Sequence, residues 1–298
     1  MVEQETGAKV TRSTPISDLL VLFKVRIVVL LLLAALGGLF LGANSWPGAG
    51  PFLLIMVTGA LTAMGSSAWN QYLERDTDAL MTRTRSKRPL VNGAISRPGW
   101  VPYVATAMIV LPVLAVAPFK PALAFFLAAG AFIYVVIYTI WLKPRTNLNI
   151  VIGGLAGSAA VLSGGAAAGA WRDPAVIALA VMLFFWTPIH FWALALVYRE
   201  DYARAHVPML PVTDTPRRAA SWGLVHGIGA AISGLAIALL PGMGWIYAIP
   251  VGIAAASLLW QGAWLVADPV KKRAWRLFHS SNLYLAVVLV AAIVSAIV

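Results

Sequence analysis

The chain has 298 residues, 60% of them hydrophobic and only 11% charged, whereas a soluble domain carries about 25% charged residues. That balance excludes a soluble globular class, and the absence of cysteine excludes disulfides, thiolate metal sites and cysteine nucleophiles. The net charge of +11 calls for no nucleic acid, because its distribution along the chain follows the rules of membrane topology.

Residues 1–26 are polar and mixed in charge up to Asp18, with no short apolar core before a small-residue cleavage site, and read as a cytoplasmic N-terminal arm. Residues 27–298 read as one all-α transmembrane domain. A membrane helix needs about 20 mainly apolar residues. Charged and Pro/Gly-rich breaks define nine such segments, near 27–45, 52–73, 100–118, 121–142, 148–170, 174–197, 220–240, 243–266 and 278–297. Only Pro118-Phe119-Lys120-Pro121 separates the third from the fourth. Two prolines there mark a tight turn rather than one kinked helix.

The 22 Lys and Arg residues sort sharply on this layout. The N-terminal arm holds Lys9, Arg12, Lys24 and Arg26; the loop after the second span holds Arg75, Arg83, Arg85, Lys87, Arg88 and Arg97. With Lys143, Arg145, Arg199, Arg204, Arg217, Arg218, Lys271, Lys272, Arg273 and Arg276 they put 20 on one face and leave Lys120 and Arg172 on the other. The basic face is therefore expected in the cytoplasm, with the N-terminus inside and the C-terminus outside. The same face suits contact with anionic membrane lipid.

Ten of the 11 acidic residues share that face, most densely in Asn70-Gln-Tyr-Leu-Glu74-Arg-Asp76-Thr-Asp78. Asn70, Glu74 and Asp78 are spaced i, i+4, i+8, so on a helix continuing from the second span they stack along one face, and Asp76 points elsewhere. With no basic partner evident on their face, they form an oxygen set suited to Mg²⁺, which needs few protein ligands when phosphate supplies others. The run from Thr82 to Leu90 adds Arg83, Arg85, Lys87 and Arg88, the complement for a diphosphate. The bland alternative is a solvated loop. Against it stands the helical register of polar groups at a membrane boundary.

A second polar loop, Tyr198 to Pro211, follows the sixth span and offers Asp201 as a further metal-facing carboxylate, although Glu200 or Asp201 also has Arg199 and Arg204 to pair with. His190 lies about two turns inside the end of that span. Three readings of it stay open: metal or haem ligand, proton-transfer group, or structural donor to a neighbouring helix.

At these residues the chain resembles the intramembrane aromatic prenyltransferase superfamily and, within it, the haem-farnesylating branch, from about residue 22 to about 290. Asn70, Glu74 and Asp78 match the first signature of the superfamily. The branch is marked by Asp78-Ala-Leu-Met81-Thr-Arg83-Thr84-Arg85-Ser-Lys-Arg88-Pro89-Leu90, Tyr138-Thr-Ile-Trp-Leu-Lys143, Asn149-Ile-Val-Ile-Gly153-Gly154, His190-Phe-Trp-Ala-Leu-Ala, Asp201-Tyr202, Val207-Pro-Met-Leu-Pro-Val212 and Ser281-Asn-Leu-Tyr284-Leu. The chain departs from the pattern at Arg204 and Ala205, where other members place a second acid four residues from the first. It departs again at Val25, usually Pro, and at Ser158–Val161, which lack paired prolines.

The resemblance implies nine helices around a central cavity open to the cytoplasm, and transfer of farnesyl from farnesyl diphosphate to a vinyl group of haem b. It implies Mg²⁺ on Asn70, Glu74 and Asp78, with Asp201 as a further catalytic carboxylate. Arg83, Arg85, Arg88, Lys143, Lys24 and Arg26 would hold the diphosphate, and His190, Tyr138 and Tyr202 would lie on the haem side. A haem-delivering or haem A-forming membrane protein is the implied partner. Two rivals remain: a relative acting on a quinone precursor or aromatic acid, and an ion-coupled transporter, which would show midplane polar groups and inverted halves.

Overall fold

The structure is a computed structural model and describes residues 15–298, so Lys9 and Arg12 lie outside the described residues. Among the described residues, nine helical segments are long and apolar enough to cross a membrane: Val25–Ala43, Ala49–Leu73, Pro98–Val116, Pro121–Leu142, Asn149–Ala168, Pro174–Val197, Pro216–Leu239, Gly244–Ala267 and Lys271–Ile297. The protein is an integral membrane protein of all-α class.

The elements in order are α1 (Pro15–Leu22), α2 (Val25–Ala43), α3 (Ala49–Leu73), α4 (Arg75–Ala79), α5 (Thr82–Arg85), α6 (Val101–Val116) and α7 (Pro121–Phe132). A π-helix over Ile133–Leu142 continues α7 without a break. Then come α8 (Asn149–Gly153), α9 (Leu155–Ala168), α10 (Pro174–Val197), α11 (Arg199–Arg204), α12 (Leu210–Thr213), α13 (Pro216–Ala236), α14 (Gly244–Ala267) and α15 (Lys271–Ile297).

In lipid every backbone polar group must be satisfied within the segment, which is why long helices dominate. Their ends follow from local chemistry. Asp173 caps α10 by accepting from the Ala175 amide at 2.8 Å, and Thr215 caps α13 by accepting from the Arg218 amide at 3.2 Å; Pro174 and Pro216 open the first turns. The expected turn at Pro118–Pro121 divides α6 from α7. The last helix begins at Lys271, seven residues before the apolar run that marks it in sequence. Its first turns are charged, and Arg273 lies over the Trp264 ring at 4.6 Å and beside Asp268 at 3.1 Å. Hydropathy finds the part of a helix inside lipid, not the part that projects from it.

Small residues set the bundle's closest crossings. A Cβ on Gly38 would stand 2.0 Å from the Val161 carbonyl oxygen, and one on Gly164 would stand 1.7 Å from that of Ala35. Helices α2 and α9 therefore touch backbone to backbone, the usual solution where lipid offers no hydrophobic drive. Along α3 the buried hydroxyls of Thr58, Thr62 and Ser66 each donate to the carbonyl four residues earlier, so they need no partner outside the helix. Helix α10 packs against α2, α9, α13 and α15, and its buried apolar residues run through the largest core cluster.

Residues 15–22 of the arm form α1. The side-chain amide of Gln71 donates to the Val21 and Leu22 carbonyls at 2.6 and 2.9 Å, and Leu22 is fully buried. That docking fixes Lys24, which adopts a left-handed conformation (φ 48°) at the joint between α1 and α2.

Candidate active site

Asn70, Glu74 and Asp78 lie at one end of the bundle, and all three are buried. Helix α3 stops at Leu73 and α4 begins at Arg75, so the expected single helix is interrupted at Glu74. Backbone bonds nevertheless continue the stack: the Glu74 amide donates to the Asn70 carbonyl at 3.0 Å, and the Asp78 amide to that of Glu74 at 2.8 Å. Asp76 is exposed and pairs with Arg75, as its position in the register requires.

The expectation that this face lacks basic partners is wrong. Each of the three residues meets a different cation brought from elsewhere in the chain. The Lys24 ammonium donates to Asn70 Oδ1, the Lys143 ammonium to Glu74 Oε1, and the Arg88 guanidinium to Asp78 Oδ2 while standing 3.7 Å from Glu74 Oε2. Only Arg88 is local; Lys24 and Lys143 come from the start of α2 and the end of the π-helix.

The π-helix places a second layer behind the carboxylates. Asn70 Nδ2 donates to Thr139 Oγ1 at 2.9 Å, and that hydroxyl donates to the Tyr134 carbonyl at 2.8 Å, a five-residue step natural to π geometry. Lys24 also donates to the Tyr134 hydroxyl at 3.1 Å. The Tyr134 and Tyr138 rings stack at 5.7 Å, and Lys143 Nζ lies 5.7 Å from the Tyr138 ring centre. Tyr138 packs onto Gly153, where a Cβ would come within 2.8 Å of its ring. Tyr134 and Thr139 escaped the sequence reading, and the signal was at hand: both lie within nine residues of Lys143, around the quoted Tyr138–Lys143 piece.

The electrostatics follow from crowding. Burial pushes Lys24 down to about 7, with Arg88 adding to the effect. For Glu74, burial acts to raise the pKa, but Lys143, Arg88 and Lys24 outweigh it and hold the carboxyl below its usual value. Asp78 goes the other way: burial raises it, Glu74 adds to that, and Arg88 only partly compensates.

Asp201 is also buried, but its oxygens are otherwise engaged. Oδ1 accepts from the Thr82 hydroxyl and amide (the latter 3.2 Å), Oδ2 accepts from the Arg83 amide at 3.0 Å, and Arg204 lies 3.2 Å away. The carboxylate thus holds α5 in place against α11 and has no contact with Glu74 or Asp78 among the described residues. Arg83 makes no ion pair among the described residues; its guanidinium lies over Tyr198 and Tyr202, with Nη2 3.3 Å from the Tyr202 hydroxyl. Arg26 and Arg85 are exposed and join no part of the cluster.

Among the described residues His190 makes no hydrogen bond or ion pair with these groups. Its Nδ1 is 2.9 Å from Ser281 Oγ, and its ring is sandwiched between Trp186 at 4.3 Å and Phe278 at 4.6 Å. Trp186 Nε1 donates to the Ser281 carbonyl at 2.7 Å, so α10 and α15 are tied twice at one level. Of the three readings open in the sequence, this geometry provides the structural one.

The UbiA prenyltransferase family matches residues 31–291. A protoheme IX farnesyltransferase of Metallosphaera sedula is 41% identical over 277 residues, covering 93% of this chain and 95% of the relative. Among solved structures, one described as concerning digeranylgeranylglyceryl phosphate synthase in membranes superposes with a TM-score of 0.79 at 17% identity, covering 95% of this chain and 98% of that one. A UbiA homologue from Archaeoglobus fulgidus bound to GPP and Mg²⁺ superposes with a TM-score of 0.63 at 19% identity, covering 93% and 99%.

Proposed function

The chain belongs to the UbiA prenyltransferase family, and from that premise we propose that it transfers farnesyl from farnesyl diphosphate to a vinyl group of haem b, giving haem O. The observation that carries the site is the one-to-one pairing of Asn70, Glu74 and Asp78 with Lys24, Lys143 and Arg88. With Lys24 protonated, three cations against two carboxylates leave one net positive charge. A fully ionised prenyl diphosphate with one divalent cation carries one net negative charge, so the occupied site is neutral.

The donor set fits Mg²⁺. Two carboxylates and a carboxamide are the few oxygen ligands Mg²⁺ takes from a protein when phosphate oxygens complete its shell. Glu74 Oε2 is buried with no hydrogen-bond partner, an acceptor waiting for a cation. Asn70, Glu74 and Asp78 would hold the ion, which when bound draws negative charge from the leaving group.

The chain's own residues do the rest. On substrate entry Lys143 and Arg88 exchange their carboxylate partners, and Lys24 its Asn70 and Tyr134 oxygens, for diphosphate oxygens, where they stabilise charge that grows as the C1–O bond breaks. The bonding pair leaves with diphosphate, the vinyl carbon bonds to C1, and water captures the new cation and releases a proton. Thr139 holds the Asn70 amide so that its oxygen, not its nitrogen, faces Lys24. Tyr134 and Tyr138 wall the site from bulk water. Asp201 positions Arg83 rather than touching reactants. The basic asymmetry supports an active end facing the cytoplasm, and both substrate and product are apolar enough to be handed on within the membrane to proteins that deliver or consume haem.

Incubating the purified protein with haem b, Mg²⁺ and farnesyl diphosphate tests this. The expected product is haem heavier by one farnesyl and one hydroxyl group. Prenylation of an aromatic acid or quinone precursor with haem untouched would overturn the acceptor.

A further inference from the structure

Four basic side chains approach the polar end of the bundle from the first loop and its neighbours, and three of them are committed to Asn70, Glu74 and Asp78. The fourth, Arg83, is not. Its backbone is pinned by Asp201, its guanidinium lies 5.0 Å from the Tyr198 ring centre and 5.6 Å from that of Tyr202, and Nη2 reaches the Tyr202 hydroxyl. Its Nε is buried and has no acceptor among the described residues. An aromatic-backed guanidinium with an unfilled donor is a fork built for a planar anion, since two parallel N–H groups match a carboxylate's two oxygens.

The surroundings indicate which anion. Tyr202, Arg83's partner, belongs to one buried apolar cluster with Met81, Tyr138, Trp192 and Met209. Tyr138 in turn lies beneath Lys143, which holds Glu74. A continuous apolar, aromatic cluster thus links Tyr138, beneath Lys143, to Tyr202 beside Arg83, and a flat apolar acceptor would lie along it. Protohaem carries its two propionates on the edge opposite its vinyl groups, so an anchor for one edge presents the other. Resting on the function proposed above, we infer that Arg83 binds a propionate carboxylate of the haem acceptor and is not a fourth diphosphate ligand.

The test compares haem b with its dimethyl ester, in the wild type and in Arg83→Gln and Arg83→Lys. It measures porphyrin binding by Soret absorbance, turnover where present, and Mg²⁺-dependent binding of farnesyl diphosphate. For a charge-assisted hydrogen bond, esterification should weaken wild-type binding about tenfold to a hundredfold. Arg83→Gln should weaken haem b to the same extent yet lose nothing further on the ester, and Arg83→Lys should recover only part, having the charge without the fork. Farnesyl diphosphate binding should stay within about twofold of wild type. A matching loss of farnesyl diphosphate affinity would return Arg83 to the diphosphate. Additive losses from variant and ester, or equal wild-type binding of haem b and ester, would overturn the anchor, and the last of these needs no variant to fold. Failure of the wild type to bind either porphyrin while still binding farnesyl diphosphate would instead overturn the haem acceptor itself.

Discussion

The protein has two buried carboxylate sites, and they are satisfied in opposite ways. Glu74 and Asp78 are paired with side-chain cations, Lys143 and Arg88. Asp201 is bound chiefly by the backbone amides of Thr82 and Arg83 and by the Thr82 hydroxyl. A side-chain cation can turn to a new anion when one arrives. A backbone amide cannot leave the chain it belongs to. The first site is therefore exchangeable and suited to binding, the second fixed and suited to positioning, although a count of acidic residues makes them equivalent. Their titration differs in the same sense: burial raises Asp78, while at Asp201 burial is outweighed by the Thr82 and Arg83 hydrogen bonds, which hold it below its ordinary value.

The strongest way to break this contrast is to neutralise the exchangeable side. Glu74→Gln and Asp78→Asn keep shape and lose charge, so each should cut turnover by about 10²-fold or more while the protein still folds and inserts. Turnover at saturating Mg²⁺ measures it. Near-normal activity in either variant would reduce that residue to a structural partner of its cation.

Asp201→Asn should act on stability first, costing about 1.5–3 kcal/mol for charge-assisted bonds, with farnesyl diphosphate affinity close to wild type. The pH dependence sharpens it. Because Asp201 is held below 3.8 when folded, its contribution is present above that value and is lost as pH falls through the lower folded value. Thermal unfolding of wild type and variant should therefore converge in acid and separate toward neutral pH. Parallel curves would show that the carboxylate charge is not what holds α5.

The smallest effect is expected at His190, which is hydrogen-bonded to Ser281 rather than to either carboxylate site. Losing a helix-to-helix hydrogen bond in a bilayer costs about 1 kcal/mol, so His190→Ala should lower the unfolding temperature and weaken haem and farnesyl diphosphate binding alike. Loss of haem affinity alone would restore a haem-side role.

How much of this was legible before the structure depends on the range of the interaction involved. Three of the predicted spans show this well: 121–142 and 174–197 coincide with the observed helices, and 52–73 ends at the same residue. Hydropathy and proline act within a few residues, so the sequence displays them directly. The four-residue spacing of Asn70, Glu74 and Asp78 is equally local, and it survives even the break at Glu74 because the i to i+4 backbone bonds persist. The π-helix was not legible, since it differs from an α-helix only in which carbonyl each amide selects. His190 was placed at the right depth in its helix, but depth does not reveal which neighbour it faces.

The sequence by itself determined the membrane class, the helix count and the four-residue register of Asn70, Glu74 and Asp78, because each rests on composition or on a period repeated along one segment. Only the tertiary structure decided the partners. Lys24 reaches Asn70 across 46 residues, Lys143 reaches Glu74 across 69, and Asp201 reaches Thr82 across 119. Those distances are closed by the docking of α1 through Gln71, by the winding of the π-helix and by the packing of α11 against α5. Whether a buried carboxylate is free to bind a ligand or is already used to hold a backbone depends on such contacts, and no local pattern encodes them.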